Sequence, residues 1–115
     1  MHELSLCQAL VDQVKEVAMR HGARGVVQVT VKIGPLAGVE PTLMESAYPC
    51  AAAGTIAEGS TMMVEPGPLT VRCLECGAVT EAQPNRLLCG ACGAYRTHVE
   101  SGEELMLLSV ELFTT

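Results

Sequence analysis

Two short cysteine repeats, Cys73-Leu74-Glu75-Cys76-Gly77 and Cys89-Gly90-Ala91-Cys92-Gly93, constrain this chain more than any other feature, and twelve residues lie between Cys76 and Cys89. Two thiolates at C-x-x-C spacing bite one ion, and the glycine after each pair lets backbone N–H groups turn toward the sulfurs. Four thiolates suit a tetrahedral, borderline-soft ion, which in a cell is usually zinc. A closed set of four ligands leaves no position for water, so Cys73, Cys76, Cys89 and Cys92 read as a structural site. Residues 69–98, which hold both repeats, have too few apolar side chains for a core of their own. Their order is expected to depend on metal, which contributes on the order of 10 kcal/mol to such modules near neutral pH. A thioredoxin-like redox pair calls for a single C-x-x-C at a helix start. A rubredoxin-like iron centre uses similar knuckles under aromatic cover, but this chain has one Phe, two Tyr and no Trp.

Outside the repeats the pattern is that of a small α/β body. Leu4, Cys7, Val11, Val14 and Ala18 recur at three- and four-residue steps, with Leu10 and Val17 widening the stripe. That spacing predicts an amphipathic helix over 4–21, stopped at Gly22 and with His21 favourably placed at its C-terminal end. Val27, Val29, Val31 and Ile33 alternate with polar residues as one face of a strand over 26–33, ended by Gly34-Pro35. Pro41 suits the first turn of a second helix over about 41–53, with Leu43, Ala47, Cys50 and Ala51 toward the core and Pro49 kinking or shortening it. Residues 61–65 read as a second strand. Met106, Leu108, Val110 and Leu112 alternate in a third, apolar enough to lie centrally or pair fully within a sheet. The expected fold class is α/β (α+β): a small three-stranded sheet with two helices, plus an inserted zinc-ribbon-like module. The expected domains are 1–68 with 99–115, and 69–98. Cys7 and Cys50 fall on apolar helix positions and are expected to pack as small hydrophobes.

Composition narrows the function. With 115 residues the chain has room for about one domain, and its formal charge is -6. That acidity argues against a phosphate backbone or an anionic membrane as partner. The alternative of a zinc-ribbon module binding nucleic acid or protein has only Arg72, Arg86, Arg96 and Tyr95 on the ribbon to support it. An iron–sulfur-type electron carrier is a further alternative. No nucleophile–base constellation or phosphate loop is present, so enzyme activity is not expected. No signal peptide or membrane-length apolar run is visible, and clustered cysteines suit metal binding in a reducing cytoplasm.

The start of the chain holds a second candidate metal site. The His2 side-chain nitrogen, its backbone nitrogen and the Met1 amine close adjacent chelate rings on one ion. An α-amino group with a reference pKa of about 7.7–8.0 gives up its proton to a metal more readily than lysine. Nitrogen-rich planar or octahedral coordination favours nickel or copper over zinc. A solvated helix start is the competing reading of the same residues.

Met1-His2-Glu3-Leu4-Ser5, Val31-Lys32-Ile33-Gly34, Gly54-Thr55 through Glu58-Gly59, and the paired cysteine repeats follow one another in order. With these motifs the chain resembles, over essentially its whole length, the HypA/HybF family of hydrogenase-maturation nickel metallochaperones. The resemblance implies that Met1, His2 and Glu3 form a site for transferable Ni(II), and that the four repeat cysteines hold structural Zn(II). It also implies delivery to the [NiFe]-hydrogenase large subunit, with a nickel-insertion GTPase accessory protein as partner. Glu40 stands where family members often carry an acidic residue, which makes it a candidate participant in the nickel site. Relatives with histidines beside the knuckles have alternative zinc ligands; here the nearest is His98, six residues past Cys92. An exposed strand edge would let the body pair with a second copy or with a partner.

Overall fold

The computed structural model describes residues 2–114, and of His2 the backbone only. In chain order the elements are α1 (His2–Arg20), β1 (Gly25–Ile33), α2 (Pro41–Ala52), β2 (Thr61–Pro66), β3 (Thr70–Cys73), β4 (Val79–Glu81), β5 (Thr97–Ser101) and β6 (Leu105–Phe113). They form two three-stranded sheets, ordered β2-β1-β6 and β4-β3-β5. The architecture is α+β, with two helices and two small sheets. The chain divides into two compact units: one holds α1, α2 and nearly all of the first sheet, the other residues 33–38 and 66–105.

In the first unit, α1 buries Cys7, Leu10, Val11, Val14 and Ala18, the stripe expected from spacing, and packs against α2. Its end is set by the backbone. Gly22 takes a φ of 60°, so Ala23 N–H reaches the Ala18 carbonyl at 2.9 Å and Gly22 N–H the Met19 carbonyl at 3.2 Å. That pair of bonds satisfies carbonyls the helix would otherwise leave open. The His21 Nδ1 donates to the Val17 carbonyl at 3.0 Å, which the His21 backbone N–H also reaches at 3.3 Å.

Helix α2 starts as its proline suggests. Pro41 occupies the first turn, and the Glu40 carboxylate caps it by accepting the Thr42 N–H at 3.2 Å. The helix continues through Pro49 to Ala52, and the Pro49 carbonyl accepts the Ala53 N–H at 3.0 Å. Its buried face differs from the expected one. Met44, Tyr48 and Ala52 are buried, whereas Leu43 and Cys50 are exposed and Ala47 and Ala51 half-buried. The larger side chains set the rotation: Met44 meets Cys7, whose thiol donates to the Met44 carbonyl at 3.4 Å. The Tyr48 hydroxyl lies 2.7 Å from Ser60 Oγ. Because the Ser60 hydroxyl donates to the Ala57 carbonyl, Tyr48 is the donor in that pair, and its phenol is satisfied although the ring is 1% exposed.

The first sheet differs from expectation in two ways. β1, not β6, is central, and its buried residues are Val26, Val29, Val31 and Ile33, while Val27 is 45% exposed. The apolar β6 lies at the edge with no fully buried residue, and Met106, Leu108 and Phe113 are each more than 40% exposed. Hydrophobicity alone cannot tell a strand covered on both sides from one at an edge.

The second unit contains a backbone crossing. Gly34 N–H bonds to the Glu104 carbonyl at 2.8 Å and Leu36 N–H to the Gly102 carbonyl at 2.7 Å. A Cβ on Gly34 would lie 2.2 Å from the Gly102 carbonyl oxygen, so no side chain fits there.

The two phases of α2 give different mutational outcomes. Met44→Ala should cost about 2–4 kcal/mol in urea unfolding, as deletion of a fully buried side chain does. Leu43→Ala should stay within about 0.5 kcal/mol, as exposed substitutions do. The reverse ranking would show that the helix buries its other face.

Candidate metal centre

β3 carries the cysteine repeats into the second unit. It is the central strand of β4-β3-β5, pairing antiparallel with β4 (Val71 with Thr80) and with β5 (Arg72 with His98, Cys73 with Thr97). The three short strands have no apolar alternation that would have announced them; Leu69, Val71, Cys73 and Cys89 are their region's buried apolar residues, beside Ile33. Cys73 is the last residue of β3, so the first knuckle grows directly out of the sheet.

Both knuckles fold alike. In the first, Cys73 N–H bonds to the Ala78 carbonyl and Gly77 N–H to the Cys73 carbonyl; in the second, Cys89 N–H bonds to Ala94 and Gly93 N–H to Cys89. The turn aims backbone donors at the leading sulfur of each pair. Glu75 and Cys76 N–H groups lie 3.3 Å from Cys73 Sγ, and those of Ala91 and Cys92 lie 3.3 and 3.4 Å from Cys89 Sγ. The leading cysteines are buried and the trailing ones, Cys76 and Cys92, exposed.

The four Sγ atoms lie within 4.8 Å of one another, with Cys73–Cys92 and Cys76–Cys89 each 3.6 Å apart. Tetrahedral zinc with bonds near 2.3 Å requires sulfurs about 3.8 Å apart. Disulfides require about 2.05 Å, so the geometry fits four thiolates around one ion and fits no cystine. No other group of three or more His, Cys, Asp or Glu among the described residues converges in this way.

The sulfurs fall into two classes. Cys92 N–H, then Ala91 N–H, push the Cys89 thiol down to about 6. Cys76 N–H, then Glu75 N–H, lower Cys73 similarly. Cys92 moves the other way: the Ala94 N–H lowers it, but the Cys73 sulfur and desolvation outweigh that and push it up to about 12. Cys76 is also raised, the Ala78 N–H being outweighed by the Cys89 sulfur and desolvation. Four like charges cannot share this volume without a cation, so the metal-free cluster keeps protons that an ion must expel.

The remaining site candidates are dispersed. Met1 and the side chain of His2 lie outside the described residues; the backbone of His2 begins α1, and Glu3 is half-buried in its first turn. Glu40 is exposed and engaged as the α2 cap. His98, on β5 opposite Arg72, is exposed and outside the sulfur cluster. Thr80 was not singled out by the sequence: its hydroxyl accepts the Gly90 N–H at 2.8 Å, a tie that no local pattern signals.

The pH dependence follows from these shifts. Between pH 7 and 8 Cys76 and Cys92 both hold protons in the metal-free cluster, and each proton displaced makes binding one decade stronger per pH unit. Zinc affinity, read by chelator competition, should therefore rise by at least about two decades per unit there. It should fall more steeply near pH 6 as Cys89 takes a proton. A flat profile would contradict thiolate ligation.

Comparisons with known proteins agree on one family. The family model described as "Hydrogenase/urease nickel incorporation, metallochaperone, hypA" matches residues 1–112. A hydrogenase maturation factor HypA from Nitrosospira multiformis is 53% identical over 115 residues, covering 100% of both chains. One from Aquifex aeolicus is 38% identical over 112 residues, 97% of each. Two solution structures share the fold. One is described as that of HypA protein, with a TM-score of 0.77 at 24% identity, covering 100% of this chain and 98% of its own. The other is that of the Ni metallochaperone HypA from Helicobacter pylori, with a TM-score of 0.73 at 21% identity and 98% coverage of each. On sequence, fold and cysteine cluster together, this chain belongs to the HypA family of nickel-incorporation metallochaperones.

Proposed function

We propose that the chain carries Ni(II) as cargo, bound by the Met1 amine, His2 and Glu3, while Cys73, Cys76, Cys89 and Cys92 hold a structural Zn(II). The cargo goes to the large subunit of a [NiFe]-hydrogenase in the cytoplasm, with a nickel-insertion GTPase accessory protein as partner. The protein binds and transfers an ion and catalyses no reaction. The observation that carries this reading is the family match over residues 1–112, which takes in the Met1-His2-Glu3 start and both cysteine knuckles.

Local physics supports a division of labour between the two sites. α1 begins at His2, so the first backbone N–H groups have no intrahelical acceptor and are not committed to the helix. The positive end of the helix dipole repels a cation by about 0.3–1 kcal/mol, and the Glu3 carboxylate in the first turn opposes that repulsion. The result is a site that binds nickel yet gives it up to a partner's ligands. Protonation of the Met1 amine weakens binding as the pH falls below about 8, and protonation of the His2 imidazole adds to it below about 6.5, the reference values of the two groups. The cysteine cluster, closed and supplied with N–H donors, has no comparable exit.

A nucleic-acid role gains nothing from the ribbon. Arg72 is tied to Glu100 at 2.8 Å, which leaves Arg86 and Arg96 as the ribbon's other basic residues. Among the described residues no helix is long and apolar enough to cross a membrane.

His2→Ala, or a tag placed ahead of Met1, should abolish nickel binding by calorimetry and leave one zinc per chain. Unchanged nickel affinity in either variant would place the cargo elsewhere. Stripping the zinc should release the amides of residues 69–98 to exchange while those of α1 and β1 stay protected. Full protection of 69–98 after metal removal would show that the cysteine segment folds without an ion.

A further inference from the structure

The two knuckles are alike in turn geometry and unlike in how they are anchored. The residue after each leading cysteine donates its N–H to a group four residues beyond the trailing cysteine of the other knuckle. For Leu74 the acceptor is the backbone carbonyl of Arg96, at 2.9 Å. For Gly90 it is a side chain, Thr80 Oγ1, at 2.8 Å. The first tie is backbone to backbone and belongs to a knuckle continuous with the central strand β3. The second knuckle, outside any strand, depends on hydroxyls: Thr80, and Thr97, whose Oγ1 donates to the Leu87 carbonyl at 2.7 Å on the way into Cys89.

Thr80 is well placed to hold. It is half-buried on β4, its position fixed by pairing opposite Val71, which is fully buried. The contact also explains a glycine inside the second repeat. A Cβ at position 90 would stand 3.1 Å from Thr80 Cβ and 3.3 Å from its Oγ1, so a side chain there would push Thr80 back by a few tenths of an ångström. The corresponding residue of the first knuckle is Leu74, which faces no such limit. Groups that orient metal ligands through hydrogen bonds commonly change metal affinity by about 10–100-fold when removed.

We propose that Thr80 is a positioning residue that latches the Cys89–Cys92 knuckle onto the metal, making that knuckle the half through which the cluster opens. Loss of the latch frees Cys92 first, because it is the exposed member of the loosely anchored pair, while Cys73 stays in the sheet and holds the turn that carries Cys76. The inference rests on the reading of the four cysteines as a zinc site.

The test is zinc release from the full chain to excess chelator, with alkylation of each cysteine followed by mass spectrometry during release. Thr80→Val, close in shape but without an acceptor, should release zinc about tenfold or more faster than the parent. Cys92 should be alkylated ahead of Cys76, which is also exposed. Thr80→Ser should return both readouts to near the parent values, and Gly90→Ala, which displaces Thr80, should shift them in the direction of Thr80→Val. Thr70→Val removes a different hydroxyl of the same sheet, the one 2.6 Å from Ser101 Oγ, and should leave both unchanged. Release from Thr80→Val at the parent rate, alkylation beginning at Cys76, or an equal effect of Thr70→Val would each overturn the latch. A parent chain with no bound zinc would overturn the zinc reading beneath it.

Discussion

Bringing four sulfurs within 4.8 Å of one another is the constraint on which the second unit depends. Neither state of the metal-free cluster is comfortable: four thiolates repel, and four thiols waste the N–H groups aimed at Cys73 and Cys89. A divalent ion resolves both, since it replaces the protons and neutralises half the thiolate charge. The surrounding apolar cover is thin, drawn from Leu69, Val71 and Ile33, and does not compensate for the ordering entropy of such a segment. The first unit has no such need. Its two helices pack against one another and bury Cys7, Leu10, Val11, Val14 and Ala18 from α1 and Met44, Tyr48 and Ala52 from α2.

The proposed sites make opposite demands on the same chain. A structural ion must stay, so its ligands are thiolates held by turns whose donors are backbone amides. A cargo ion must leave, and the ligands proposed for it, the Met1 amine, His2 and Glu3, stand at a helix start, where the dipole works against a cation. Ligand chemistry bears on the difference: four thiolates favour zinc, whereas nitrogen-rich planar or octahedral ligation favours nickel or copper.

What could be read in the sequence was whatever depends on local spacing. The C-x-x-C repeats specify their own turn, so the convergence of Cys73, Cys76, Cys89 and Cys92 followed from the residues alone. The stripe of α1 and the alternation through Val29, Val31 and Ile33 were equally plain. Relations decided by distant partners were not. The rotation of α2 is set by Met44 against Cys7 and Tyr48 against Ser60, so Leu43 and Cys50 point outward despite their apolarity. β6 is apolar enough for a central strand and lies at an edge. Gly34 looked like a strand terminator and is also the point where two backbones cross, and Thr80 had no mark at all until β4 carried it to Gly90.

X-ray absorption at both edges on one doubly loaded sample reads whether the two metals occupy separate sites. The zinc edge should be fitted by four sulfurs at about 2.3 Å and the nickel edge by nitrogen and oxygen with no sulfur. Sulfur in the nickel shell, or fewer than four sulfurs around zinc, would contradict that separation.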